Sequence, residues 1–383
     1  MFEIIPKTFW YDFVGKRRFW AVVSFVASTI GLVLFIGIGP NWSIDFTGGT
    51  EVEVHFEQAT TIAEVRGALA PQGIAEDAVY QVGPDADSRF VVRLQGESSS
   101  RPEDVAAVRA ALEAAFGSDW IDSFEVGAEV GSRAAVRYRG ASIPLDRVEA
   151  ALAVVPGSTV QGSPEENTFF VRLPGVAEGI HRSLEGALGT HGLKFDRSDS
   201  VGPKVGGNLR AAGLTAVAWS VVLHLIYVAV RFDFAFAPGA IICLVHDVAI
   251  TCGILVIARL DFGLSTVSAL LTLTGYSLND TIVVYDRIRE NMHRFKRKDF
   301  GALINESINQ TLSRTIMTSG ATALAMVPFL FKGGAILQEF AIVMLVGIVV
   351  GTYSSIYVAA PLTMILTENQ DRIRALFGLS KKA

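Results

Sequence analysis

Asp280 stands inside an apolar run, Leu278-Asn279-Asp280-Thr281-Ile282-Val283-Val284-Tyr285. A carboxylate in such a run costs roughly 2.5–3.5 kcal/mol to place in a bilayer, so it marks a functional group or one with a buried partner. Ser268, Thr272, Tyr276 and Asp280 recur every fourth residue. On a helix they form a polar stripe. A stripe ending in an acid predicts a helix that faces protein or a water path and not lipid. A capping or packing role for Asp280 near the end of its span is the competing reading. Arg314 opens the next apolar run, in Leu312-Ser313-Arg314-Thr315-Ile316. On antiparallel helices Arg314 and Asp280 can share one depth. A guanidinium there would hold the carboxylate ionised, and separating the two would favour its protonation, which makes a proton-responsive switch. Against this stands an arginine that merely snorkels to the membrane interface. His246 and Asp247 adjoin in Cys243-Leu244-Val245-His246-Asp247-Val248. Neighbouring residues point to different sides of a helix. The two are therefore relay members or a helix–helix hydrogen-bonding pair, and Asn279 and Tyr276 carry the same two readings.

Other chemistry is not supported. Asp45-Phe46-Thr47-Gly48-Gly49-Thr50 is glycine-rich but lacks GxGxxG or P-loop spacing. Its glycines suit a chain turning sharply into a strand. The two cysteines, Cys243 and Cys252, lie in one apolar block. On a helix they stand roughly 13 Å apart, too far for a disulfide. CxxC and His/Cys metal spacings do not occur, so neither a metal nor a cofactor is expected. The chain is not expected to be an enzyme.

These residues need helices to hold them, and the composition supplies membrane helices. The chain has 383 residues, 50% hydrophobic and 19% charged, against about 25% charged in soluble domains. The net charge of −5 excludes a global basic field for nucleic acid. Six runs approach or exceed the roughly 20 apolar residues a span requires, at 19–38, 214–232, 234–260, 262–285, 315–331 and 337–366. The first is too long for the apolar core of a signal peptide and no small-x-small site follows it. Lys16, Arg17 and Arg18 precede it. Arg287, Arg289, Arg294, Lys296, Arg297 and Lys298 follow the fourth run, and Arg372, Arg374, Lys381 and Lys382 follow the sixth. Six spans put all three basic clusters on one side, which the positive-inside rule makes the cytoplasm. Residues 41–210 then lie outside, with 25 Asp and Glu against 15 Lys and Arg. The expected organisation is a cytoplasmic N-terminus and first span (1–40), external residues 41–209, spans two to six (210–366) with a cytoplasmic loop at 286–312, and a cytoplasmic tail (367–383).

The external part repeats itself. Val126-Gly127-Ala128-Glu129-Val130-Gly131 is echoed by Val201-Gly202-Pro203-Lys204-Val205-Gly206. Phe90-Val91-Val92-Arg93-Leu94 is echoed by Phe169-Phe170-Val171-Arg172-Leu173, and residues 62–69 resemble 145–152. Each half reads β-α-β-β-α-β, the ferredoxin-like split βαβ, with Thr60 as the cap of the first helix. The expectation is two α+β modules in tandem, 41–132 and 133–209, joined near residues 131–134. Gly202 and Gly206 are the expected hinge.

Four stretches together resemble the SecF family of protein-export subunits. They are Ser43-Ile44-Asp45-Phe46-Thr47-Gly48-Gly49-Thr50, Val201-Gly202-Pro203-Lys204-Val205-Gly206, His246-Asp247, and the long run from Gly275 through Asn279-Asp280-Thr281-Ile282-Val283-Val284-Tyr285-Asp286-Arg287 to Asn291. The continuation Asn309-Gln310-Thr311-Leu312-Ser313-Arg314-Thr315 fits too. The resemblance implies an RND-superfamily membrane fold in the bacterial cytoplasmic (inner) membrane. It implies SecD and the SecYEG translocon as partners, YajC and YidC as further neighbours, and translocating preproteins as clients. It implies that proton motive force drives late translocation, with Asp280 and Arg314 matching the family's coupling acid and arginine. One α+β module is usual for the family, so a second is a departure. A stand-alone RND-type exporter and a non-conducting scaffold at the translocon are the alternatives.

Overall fold

The computed structural model describes residues 10–82, 87–95, 102–126, 133–140, 143–155, 157–163, 167–173, 175–232, 236–295 and 299–368. Lys296, Arg297, Lys298, the tail cluster and Gly131 fall outside them. The chain divides into two compact units, one from the residues up to Asn41 together with those from Ala212 on, the other Trp42–Ala211.

The first unit is a bundle of six helices long and apolar enough to cross a membrane: Arg17–Gly37, Pro203–Arg231, Ala237–Ile257, Leu264–Arg294, Phe300–Lys332 and Ile336–Thr367. The first, second and fifth are mostly exposed, and the third, fourth and sixth are more than half buried. Phe19, Phe25, Leu32 and Ile36 on the first span all point outward, as lipid-facing side chains do. The sixth span runs α-helical over Gly334–Ser354, passes through a π-turn at Ser355–Ala359 and resumes over Ala360–Glu368.

Helices four and five run well past the apolar runs, so most of 286–312 is helical and not the loop expected. The reason is amphipathicity: Ile288, Leu303, Ile304, Ile308 and Leu312 are buried in one cluster. The carboxylate of Asp299 caps the fifth helix by accepting from Ala302 N at 3.1 Å. Asn291 Nδ2 donates to Ser307 Oγ at 2.9 Å across the pair. The segment before the first span docks there. Asn305 Oδ1 accepts from Phe13 N at 2.8 Å and Val14 N at 3.3 Å, and Phe13 and Val14 are buried.

The second unit holds two four-stranded antiparallel sheets. We number its strands β1 (Gly49–Phe56), β2 (Val79–Gln81), β3 (Arg89–Gln95), β4 (Ile121–Val126), β5 (Arg133–Tyr138), β6 (Thr159–Ser163), β7 (Thr168–Arg172) and β8 (Leu193–Val201). Its longer helices are α1 (Ile62–Leu69), α2 (Pro102–Phe116), α3 (Leu145–Leu152) and α4 (Val176–Leu188). The first sheet has the order β2-β3-β1-β8 and the second β4-β5-β7-β6. Thr61, not Thr60, caps α1, in a reciprocal capping box with Glu64.

The expected strands and helices are present, but the tandem junction near 131–134 is not where the sheets divide. β8 pairs with β1, Val52 facing Ser198, while β4 pairs with β5, Phe124 facing Val136. The cores follow the same exchange. Val52, Val54, Val65 and Leu69 pack with Ile180 and Leu184 of α4. Val136, Val148, Leu152 and Phe169 pack with Val108 and Leu112 of α2. Residues 102–172 therefore form one sheet-and-helix body, inserted between β3 and α4 of the other. Long detours cost little, because loop-closure entropy rises only about 0.6 kcal/mol per doubling of length.

The glycine pair sits where that first sheet begins. A Cβ on Gly49, whose φ is +131°, would lie 2.0 Å from Leu94 O. Gly206, an expected hinge, lies inside the helix that begins at Pro203. A Cβ there would meet Gly48 N at 2.7 Å. The two glycine-containing stretches are thus pressed together, which gives Gly206 a packing role.

Candidate functional site

Two buried carboxylates organise the middle of the helix bundle. Asp247, on the third span, is 1% exposed. Its Oδ2 accepts from Ser354 Oγ of the sixth span at 2.9 Å and from Ser277 Oγ of the fourth. Its Oδ1 lies 2.8 Å from His246 Nδ1. Cys243 Sγ donates to Ser354 Oγ at 3.1 Å. One acid thus ties three helices together. His246 and Asp247 point apart as adjacent helical residues must, yet the imidazole folds back onto its neighbour. The relay and helix-tying readings converge on one cluster.

Asp280 is 2% exposed. Its Oδ2 accepts from Ser319 Oγ of the fifth span at 3.2 Å, and Ser319 Oγ lies 2.7 Å from Thr352 Oγ1 of the sixth. Ser277 and Asp280 are one helical turn apart, so the two centres are neighbours on the fourth span. Arg314 is exposed, and no ion pair within 4.0 Å joins it to Asp280 among the described residues.

Small residues make these approaches possible. A Cβ on Gly351 would lie 3.1 Å from Ser277 Cβ, and one on Gly347 would meet Leu273 Cδ1 at 2.4 Å. Close backbone contact of this kind is how helices associate in lipid. Successive residues of the sixth span serve different partners, because a helix turns about 100° per residue: Tyr353 meets Ser24 of the first span and Ser354 meets Asp247.

The polar stripe does not keep one face. Ser268 and Thr272 are exposed and bond back to Leu264 O and Ser268 O, both at 2.8 Å. Asn279 is exposed, Tyr276 is half-buried with no partner for its hydroxyl among the described residues, and Asp280 is buried. Steps of four residues turn a helix by about 400°, so the stripe drifts about 40° each time. Over three steps it rotates from the bundle's outer surface into its core. Ser277, Ser319, Thr352 and Ser354 were missed by sequence reasoning. Serine and threonine are ordinary in membrane helices, and only spacing relative to two unknown helices would have singled them out.

Fold and site together define a six-span helical membrane protein with buried, hydrogen-bonded acids and an α+β unit inserted after its first span. Residues 186–369 match the family model described as protein export membrane protein SecD/SecF, C-terminal, and residues 33–60 match the SecD/SecF GG motif. The chain is 33% identical to a protein translocase subunit SecF of Magnetococcus marinus, over 97% of this chain and 96% of that one. It is 34% identical to that of Koribacter versatilis, over 93% and 92%. The chain belongs to the SecF family of protein translocase subunits. Among solved structures it is similar to SecDF, described as a translocon-associated membrane protein, from Thermus, with a TM-score of 0.63 and 29% identity over 96% of this chain. A second SecDF structure, in a super-membrane-facing form, matches with a TM-score of 0.57 and 29% identity over 98%. This chain spans 40% and 41% of the length of those SecDF chains.

Proposed function

We propose that this chain is the SecF half of a membrane unit that uses proton motive force, with SecD, to promote late stages of protein export. Its site is the multi-pass bacterial inner membrane, with both termini cytoplasmic and the α+β unit outside. Three considerations support the reading. The relatives are translocase subunits, and the solved SecDF chains hold in one polypeptide more than twice what this chain spans. The second, fourth and fifth spans present exposed polar groups at membrane depth, Ser268, Thr272, Asn279 and Arg314 among them, which is a face suited to a partner bundle. A charge crossing the membrane releases about 2.3 kcal/mol per 100 mV, and the sequence has neither GxGxxG nor P-loop spacing for a nucleotide.

The observation that carries the proposal is Asp280, a buried acid hydrogen-bonded to one neighbouring helix and, through Ser319 and Thr352, linked to another. Protonation turns an oxygen that accepts from Ser319 into a group that can donate. It also removes the charge that Arg314 feels. The link between the fourth and fifth spans then loosens, and the spans can shift. SecD and the SecYEG translocon are the partners this reading assigns, YajC and YidC are further candidates, and preproteins are the clients.

The test is Asp280→Asn in cells holding no other copy. Export should lose its dependence on proton motive force, while the amount of protein in the membrane is unchanged, since removing the charge does not impede insertion. Wild-type export by the variant would sink the proposal.

A further inference from the structure

Beside the first span lies a groove that the coupling site does not use. It runs between the first, third and sixth spans, encloses about 610 Å³, and is walled by Phe25, Val245 and Pro361, with Arg17 and Arg18 at one end and His246 in its side. From Arg17 to Leu32, both in its lining, the first helix rises roughly 22 Å. One leaflet of hydrocarbon is about 15 Å deep. The groove therefore reaches from the membrane edge past the depth of a single acyl layer.

Its ends differ in chemistry. Arg17 donates to Val14 O at 3.2 Å. Among the described residues, neither Arg17 nor Arg18 has a carboxylate within 4.0 Å. Two cations without a counter-charge thus stand at the edge of an apolar slot. Deeper in, His246 is 5% exposed. Its Nδ1 is occupied by Asp247, and its Nε2 is buried without a partner among the described residues. The other polar groups of the wall are satisfied: Ser24 meets Tyr353, Ser28 donates to Ser24 O, and Thr29 donates to Phe25 O at 2.7 Å. Phe25 and Val245 are exposed, so the slot opens sideways to the bilayer.

We infer that this groove holds one anionic phospholipid. Its phosphate sits between Arg17 and Arg18, and an acyl chain fills the wall formed by Phe25, Val245 and Pro361 and passes the imidazole of His246. The occupant is a lipid and not a partner helix because the slot supplies two unmatched cations at headgroup level and apolar surface below them. That is the charge and shape of a single anionic lipid. The lipid would also place a bound molecule against the imidazole that holds Asp247.

The test uses the full chain with its partner subunit, purified in mild detergent and titrated with dioleoyl-phosphatidylglycerol or dioleoyl-phosphatidylcholine, bound lipid being counted by native mass spectrometry. Arg17→Gln with Arg18→Gln should weaken phosphatidylglycerol binding roughly 30-fold, the loss of two juxtamembrane cations, and leave phosphatidylcholine unaffected. Arg17→Lys with Arg18→Lys should retain most of the binding, which separates charge from folding. Val245→Trp, at an exposed position, should reduce both lipids. Phosphatidylglycerol binding equal to wild type in both the glutamine and tryptophan variants would overturn the inference. So would a photoreactive residue at position 25 that captures a polypeptide and no lipid in native membranes.

Discussion

Acids in an apolar chain advertise themselves. Asp280 and Asp247 were legible because a carboxylate in a span is costly enough to require a reason. Their partners were not, because a serine that donates a hydrogen bond and a serine that faces lipid look alike in sequence. The same holds outside the bundle at Glu53, which alternation places on the polar face of β1. It is 7% exposed. Burial pushes its carboxyl above the ordinary 4.5, with Arg89, 3.8 Å away, opposing. A raised carboxyl pKa means that the folded state favours the proton. Its contribution to stability is therefore full below about pH 4.5 and is lost as pH rises through the higher folded value. Glu53→Gln should accordingly increase hydrogen-exchange protection of strand Gly49–Phe56 at pH 7, with the advantage over wild type vanishing below about pH 4.5. Reduced protection at pH 7 would show that the pairing with Arg89 outweighs burial.

At the scale of elements, periodicity located the six spans and gave the order of strands and helices in the α+β unit but not the short pairing of Asn41–Trp42 with Asp261–Phe262, and the other errors are about where elements stop and what they meet. The helical extensions beyond the fourth and fifth runs are amphipathic and charged, so a search for apolar runs ends too soon. The docking of residues 11–14 depends on two asparagines: Asn305, and Asn309, whose Oδ1 accepts from Tyr11 N at 3.0 Å. Asn305→Ala leaves two buried backbone N–H groups without their acceptor, at about 1–3 kcal/mol each if nothing replaces it. The expected result is faster proteolysis ahead of the first span with the spans themselves intact, seen by limited digestion in detergent. An unchanged cleavage rate would mean that Phe13 and Val14 are held by packing alone.

For the molecule as a whole, the sequence disclosed the parts of the α+β unit and misassigned their grouping. Residues 102–126 and 176–201 each offer a helix followed by a strand with one apolar face. Exchanging them leaves every local pattern unchanged, and proximity in sequence favours the wrong pairing. The correct grouping changes which truncation should be tolerated. Removing 134–201 strips the first sheet of α4 and β8 and exposes Val52, Val54 and Leu69, so the chain should fail to accumulate. Removing 97–173 takes away the inserted body and leaves β1, β2, β3 and β8 with both their helices. That chain should accumulate in the membrane, and immunoblots of membrane fractions distinguish the two. Equal loss of both would mean that the two sheets fold only together.

The pairing of β1 with β8 has a mechanical corollary. Gly49 faces Val201, so the strand that enters the α+β unit and the strand that leaves it lie side by side, anchored at the same end. Each continues along the chain toward a different membrane helix. Tension between the unit and those helices is divided over two parallel tethers rather than carried by one. Such a pull loads both strands together and does not peel one from the other hydrogen bond by hydrogen bond. The inserted body is joined along the chain to β3 on one side and α4 on the other. Along the chain, a load on it passes through the first sheet before it reaches the membrane helices.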